Sequence, residues 1–232
     1  MTKPGLLYSP PLQIETDLRV WFETIQKRYD FVLQTDPSSK MELRAHRCQS
    51  LGQLEDNPPL EEVDSLMDMA RVMGMPIGSV LIPLDLNQTE EQIGAEISAV
   101  DGWIDLSGYI NVDLVRFLLT TRADFKKGYI IAALQHIFHY ANESNLTVSI
   151  ASVPHSEKTI LSQIQRFKPT ENFPVGLHRI LPSDSLDRLP TLAQDGDPVT
   201  LQYTVPDESA QAKVAALYQA IQPLGLPLII TE

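Results

Sequence analysis

Cysteine is all but absent: Cys48 is the only one in 232 residues. A lone thiol excludes an internal disulfide and suits a reducing compartment. Apolar neighbours on an expected helix make Cys48 a packing residue. Long apolar runs are missing too. None approaches the roughly 18 residues of a membrane-spanning helix, and Met1-Thr2-Lys3-Pro4-Gly5 carries no signal-peptide hydrophobic segment. The expectation is a cytoplasmic protein that does not span a membrane. Basic residues are scarce, with 18 Lys and Arg against 30 Asp and Glu and a formal net charge of −12. Nucleic acid is excluded as a general partner, because neutralising its phosphates needs a basic face.

Several chemical signatures are missing as well. Gly74, Gly78 and Gly94 do not open a helix after a strand, so there is no dinucleotide fingerprint. His136 and His139 stand three apart, a spacing that can bind metal, yet no third ligand is evident and no metal is expected. Ser152-Val153-Pro154-His155-Ser156 places serine near histidine without a nucleophile elbow around it.

What remains is enough for one full core, read as a single domain over residues 1–232. Residues 1–12 are Pro-rich and read as an extended arm. Leu18, Trp21, Phe22 and Ile25 predict a helix over 14–28, followed by a strand at 29–35, a turn at Asp36-Pro37-Ser38-Ser39 and a helix at 40–51. Residues 55–62 read as a loop. Residues 66–73 and 77–84 read as a hairpin across Gly74-Met75-Pro76. Thr89 caps a helix reaching residue 100, and 101–107 reads ambiguously. Strands follow at 112–121, 146–153, 175–181, 199–205 and 226–231. Helices are expected at 129–142, 156–166 with Ser156 as cap, and 207–221, with an exposed Pro- and Asp-rich connection at 183–198.

The stretch 112–167 carries the clearest chemistry. A branched and aromatic strand runs into Arg122-Ala123-Asp124-Phe125-Lys126-Lys127-Gly128-Tyr129, where two lysines and a glycine meet the start of a helix. Free N–H groups at a helix N-terminus and adjacent lysines make a seat for a phosphate; the alternative is a plain turn with solvated lysines.

The order of elements resembles the acyltransferase core of the GNAT superfamily, in particular the acyl-homoserine-lactone synthase and long-chain N-acyl amino acid synthase branch. The residues that carry it are Asp113-Leu114-Val115-Arg116-Phe117, then Lys126-Lys127-Gly128-Tyr129-Ile130. Upstream are Tyr29-Asp30-Phe31-Val32-Leu33, Glu42-Leu43-Arg44-Ala45-His46-Arg47 and the segment from Met69 to Pro83. The resemblance covers roughly residues 25–182, with Asp113 where the branch has glutamate and Ile130 where the superfamily has a second glycine. It implies an α/β (α+β) fold, a mixed, mostly antiparallel twisted sheet flanked by helices, with residues 199–232 completing the sheet. It also implies N-acyl transfer from acyl-carrier protein or acyl-coenzyme A to the amine of a small molecule such as an amino acid. The co-substrate is then an acyl-coenzyme A or acyl-phosphopantetheine thioester.

In that reading Asp113, or else Glu96, takes the amine proton. Backbone N–H groups near Leu118 and Leu119 face the oxyanion. Arg122, Lys126, Lys127, Gly128 and Tyr129 hold the donor phosphate, and Arg44, Arg47 and Arg116 meet the acceptor. The alternatives are a catalytically inactive module that keeps the cleft for binding or regulation, and a structural interaction protein using the acidic, Pro-rich arms. Ion pairing of Asp113 with Arg116, and solvation of Arg44 and Arg47, remain open.

Overall fold

A computed structural model describes residues 5–10, 18–45, 60–119, 124–152, 162–163, 165–170, 172–181, 198–205 and 211–231. Eight strands run through them: β1 (Leu6–Tyr8), β2 (Lys40–Arg44), β3 (Ile77–Leu84), β4 (Leu114–Leu119), β5 (Thr147–Ser152), β6 (Val175–Leu181), β7 (Pro198–Thr204) and β8 (Leu228–Thr231). The described α-helices are α1 (Leu18–Thr35), α2 (Leu60–Val72), α3 (Glu90–Tyr109), α4 (Gly128–Glu143) and α5 (Gln211–Ile221). Each strand pairs in parallel with the next, and β8 closes onto β1 through Leu6–Leu228, Leu7–Ile229 and Tyr8–Ile230. The result is a closed eight-stranded parallel barrel with helices outside, the TIM-barrel architecture.

The mixed, mostly antiparallel GNAT-like sheet expected from the sequence therefore does not form. Its misreading traces to one junction. Gly74, at φ 69°, ends α2 rather than turning a hairpin. The Met75 N–H reaches back to the Ala70 carbonyl and the Gly74 N–H to Arg71, a Schellman cap. The same pair of bonds ends α3 at Asn111 and α4 at Asn145, both in the left-handed region. In all three places the next residue, Met75, Val112 or Leu146, is buried, and a strand begins within three residues of it. Each helix thus returns the chain to the same end of the barrel. That geometry forces parallel strands.

Three further expectations change for local reasons. Residues 29–35 continue α1, because Trp21, Phe22, Ile25, Tyr29 and Val32 keep one buried helical stripe. Residues 40–44 are a strand instead of a helix: Met41 and Leu43 face the outer core while Lys40, Glu42 and Arg44 alternate with them. The expected arm at 1–12 contains β1, fully inside the sheet. By contrast Thr89 does cap α3, forming a capping box with Gln92, and the helix continues through the ambiguous 101–107. The loop expected at 183–198 and most of the helix at 156–166 lie outside the described residues, as does Cys48.

The core lies between barrel and helices. On β4, Val115, Phe117 and Leu119 point outward into it, against a layer that includes Trp103 and Ile104 of α3 and Ile137 and Phe138 of α4. Each such fully buried side chain contributes about 1.5–3 kcal/mol. The alternate residues point into the barrel. An extra residue in β3 lets two neighbours, Gly78 and Ser79, both turn inward where the β2–β3 register shifts. Position 78 has no room for a side chain, since a Cβ there would lie 2.6 Å and 2.7 Å from carbons of Lys40.

Candidate functional site

Inside a barrel, each strand contributes every second residue, and apolar filling is the default. Here the N-terminal end follows it: Leu7, Leu114 and Ile229 form a small cluster of their own. Above them the lining turns polar, with Glu42, Ser79, Arg116, Ser149, His178 and Thr200 all buried.

Glu42 and Arg116 anchor this layer at 0% and 4% exposure. Arg116 donates from Nε to Glu42 Oε2 at 2.9 Å and from Nη2 to Oε1 at 2.5 Å, a two-pronged pair. Ser79 Oγ donates to the same carboxylate at 3.3 Å. Burial alone would raise the Glu42 carboxyl, but the Arg116 charge and its hydrogen bonds, helped by Ser9 and Arg44, hold it below its ordinary value. Glu42 is therefore an anion committed to Arg116.

The remaining Arg116 nitrogen, Nη1, donates to Gln202 Oε1 at 2.9 Å and lies 3.0 Å from His178 Nε2. His178 Nδ1 is 2.8 Å from Thr200 Oγ1, which in turn meets Ser149 Oγ at 2.5 Å. Burial, and next the Arg116 charge, push the His178 pKa down to about 3, against the opposing pull of Gln202 and Glu42. The imidazole is neutral, and both its nitrogens have protein partners. Gln202 Nε2 donates to Thr231 Oγ1 at 3.1 Å, and Thr204 meets Thr231 at 3.0 Å, carrying the network to the C-terminal ends of β7 and β8.

Arg44 stands at the C-terminal end of β2, half-buried, on the inward side with Glu42. Its Nη2 donates to Ser9 Oγ at 3.2 Å, while its Nε is buried without a hydrogen-bond partner. Burial and the Arg116 charge depress its pKa, with Glu42 opposing them. An arginine nonetheless remains a cation. With Glu42 matched to Arg116 and His178 neutral, the inner mouth carries one positive charge without an ion-pair partner among the described residues. On a chain of net charge −12 that is a local exception.

The candidates read from the sequence are scattered by this fold. Arg44 and Arg116 do meet, inside the barrel. Arg47 and Arg122 lie outside the described residues. Asp113 is exposed at the opposite, N-terminal end, lining a 590 Å³ cavity with Lys40, Ser38 and Thr147. Its carbonyl accepts the Thr147 N–H. Glu96 accepts the Asp85 N–H at 2.8 Å and braces the loop after β3. Burial raises its carboxyl, that bond offsets part of the rise, and the Asp85 charge adds to it. Lys126, Lys127 and Gly128 form the exposed turn into α4, with Lys127 over the Tyr129 ring and Tyr129 OH bonded to the Gln88 carbonyl. Leu118 points into the mouth and Leu119 into the outer core. His136 and His139 pair with Asp101 and Glu143.

Sequence reasoning missed Glu42, His178, Thr200, Gln202 and Thr231. Their signal was polar residues at alternate places in otherwise apolar strands. No helix among the described residues is long and apolar enough to cross a membrane.

No family model and no curated protein sequence matches the chain. Solved structures do. A xylose isomerase domain protein from Planctomyces limnophilus superposes with a TM-score of 0.61 at 9% identity, over 99% of this chain and 90% of that one. A sugar phosphate isomerase/epimerase from Parabacteroides distasonis gives 0.60 at 8% identity, over 100% and 87%. A xylose isomerase-like TIM barrel protein from Mycobacterium smegmatis, in complex with magnesium, gives 0.59 at 9%, over 99% and 90%. These likenesses establish the fold. They overturn the GNAT resemblance and, with it, the acyltransferase reading and its acyl-coenzyme A or acyl-phosphopantetheine co-substrate. The ladder gives the physical reason: Leu118 and Leu119 are paired on both sides, with β3 and with β5, so no splayed strand is left to face an oxyanion.

A divalent cation does not fit the described lining. Hard cations need several oxygen ligands, chiefly carboxylates, and the polar mouth offers Glu42 alone, already spent on Arg116. Among the described residues no three His, Cys, Asp or Glu side chains gather to hold a metal.

Proposed function

We propose that the C-terminal mouth of the barrel binds a small polyhydroxylated anion, a sugar phosphate or a sugar acid. The observation that carries this reading is Arg44, a half-buried cation at the mouth without an ion-pair partner among the described residues. A phosphate or carboxylate supplies the opposite charge. Thr204, Gln202 and Thr231, at the ends of β7 and β8, bring hydroxyl and amide groups suited to sugar hydroxyls. The position agrees with the general habit of this architecture, which places ligands at the C-terminal ends of its strands. The neighbours' description as sugar phosphate isomerase/epimerase supplies the ligand class.

Isomerase-type turnover is the second reading, favoured by the match to that enzyme over the whole of this chain. The described residues contribute binding to such a reaction. Neither Glu42 nor His178 has a free site for a substrate proton.

The test is calorimetric titration with hexose phosphates and aldonic acids. Wild-type protein is expected to give a saturable isotherm. Arg44→Met is expected to weaken binding about 10- to 100-fold, the worth of a charge-assisted hydrogen bond. Its stability should hold within about 1 kcal/mol, because it also relieves the repulsion from Arg116. A phosphate that binds both proteins equally would sink the assignment. Incubation in D2O, followed by proton NMR for exchange at the sugar C–H, separates turnover from binding.

A further inference from the structure

The mouth has two unlike halves. Its polar side comes from β7, β8, β1 and β2. Across from it, the inward positions at the ends of β3, β4, β5 and β6 are Leu81, Leu118, Ala151 and Ile180. Their strand neighbours Val80, Ile82, Phe117, Leu119, Ile150 and Leu181 belong to the outer core, which leaves these four facing the lumen. Pro83 continues the same wall one step higher on β3 and is half-buried. None of these residues brings a side-chain donor or acceptor.

Ile180 is the telling member. It is 62% exposed, on the stretch of β6 that runs past its last pairing with β5 at Leu177 and is bonded only to β7. Leu118 is only half-buried as well. A large branched side chain open to the lumen, opposite a cation, suits a molecule with one anionic end and one apolar end. A bare sugar phosphate would leave this wall facing hydroxyls that it cannot satisfy.

We infer that the ligand is an amphipathic anion, a phosphorylated or carboxylated sugar that also carries an aryl or alkyl group, lying with its charge on Arg44 and its apolar group on Leu118 and Ile180. This inference rests on the anion-binding reading above and narrows it.

Two probes separate the two ideas: glucose 6-phosphate and 4-nitrophenyl glucoside 6-phosphate, each titrated into the full-length protein. The aryl compound is expected to bind about tenfold more tightly, as burial of one ring predicts. Ile180→Thr, at an exposed position that tolerates change, should erase most of that preference and leave glucose 6-phosphate affinity as it was. Leu118→Thr provides the same readout from β4, on the other side of β5. Arg44→Met should weaken both compounds together. Equal affinity of the wild type for the two probes, or a preference that survives both threonine variants, overturns the apolar half while the anion site stands. Failure of both probes to bind overturns the two proposals at once.

Discussion

Arg116→Met is expected to lower the free energy of unfolding by about 3–5 kcal/mol at neutral pH, the cost of leaving a buried charge without its partner. Glu42 is fully buried, and Arg116 supplies two of the hydrogen bonds to its carboxylate. The hydroxyls of Ser79 and Ser9 cannot by themselves replace the guanidinium there. In the variant, burial acts on Glu42 without the opposing guanidinium, so its carboxyl rises above the ordinary range. The folded variant then takes up a proton more readily than the unfolded chain does. Its deficit should therefore shrink as pH falls, which is the opposite of the wild-type trend. The double variant Glu42→Leu with Arg116→Met removes both charges and should recover most of the loss. Urea denaturation at pH 8 and pH 5 checks all three proteins. A single variant that loses less than about 1 kcal/mol at pH 8 would mean that water reaches the pair and that the interior is not as closed as described.

Acid should unfold the wild type early, and His178 sets where. Its folded pKa of about 3 lies below its ordinary value of 6.5. Between those values the unfolded chain holds a proton that the folded chain does not. Stability attributable to the neutral imidazole is thus complete above pH 6.5, falls as pH drops and levels off near 3. The loss between pH 6.5 and pH 4 is about 3 kcal/mol. Glu42, depressed in the folded state, adds loss of the same sign below its own ordinary value of 4.5. His178→Gln should flatten the slope of stability against pH between 6 and 4.5 by about 1.4 kcal/mol per unit, whatever its absolute stability. An unchanged slope would show that His178 is protonated in the folded protein.

Parts of this architecture were legible in the chain. The strands at β3 through β8 and helices α4 and α5 follow from apolar runs and 3.6-residue spacing, with boundaries close to those observed, while α3 runs on to Tyr109, past the helix expected at 89–100. The way they connect did not follow. Gly74-Met75-Pro76 looks like a hairpin turn when read alone, and only Asn111-Val112 and Asn145-Leu146 show it to be one of three helix-ending caps. Asparagine in the left-handed region is a weaker mark than glycine. The site was hidden for a related reason. Arg44 and Arg47, three apart, read as a solvated helix face, and charge in a strand reads as exposure until closure of the barrel puts Lys40, Glu42 and Arg44 inside. Arg44 and Arg116 stood out in the sequence, yet Glu42, the carboxylate that Arg116 pairs with, could be recognised only once β2 and β4 were known to flank β3.

The three-residue strand β1, bonded on one side to β2 and on the other to β8, has a consequence for how the protein is made. Residues 6–8 cannot complete their pairing until residues 228–230 have left the ribosome, so everything between them must be synthesised before the ring can shut. Until then the nascent sheet keeps two raw edges, and a long loop must close before any reward is gained. Such edges invite strangers to pair with them. The window of vulnerability should thus span the synthesis of everything from β1 to β8, and any delay before the codons for residues 228–230 prolongs it.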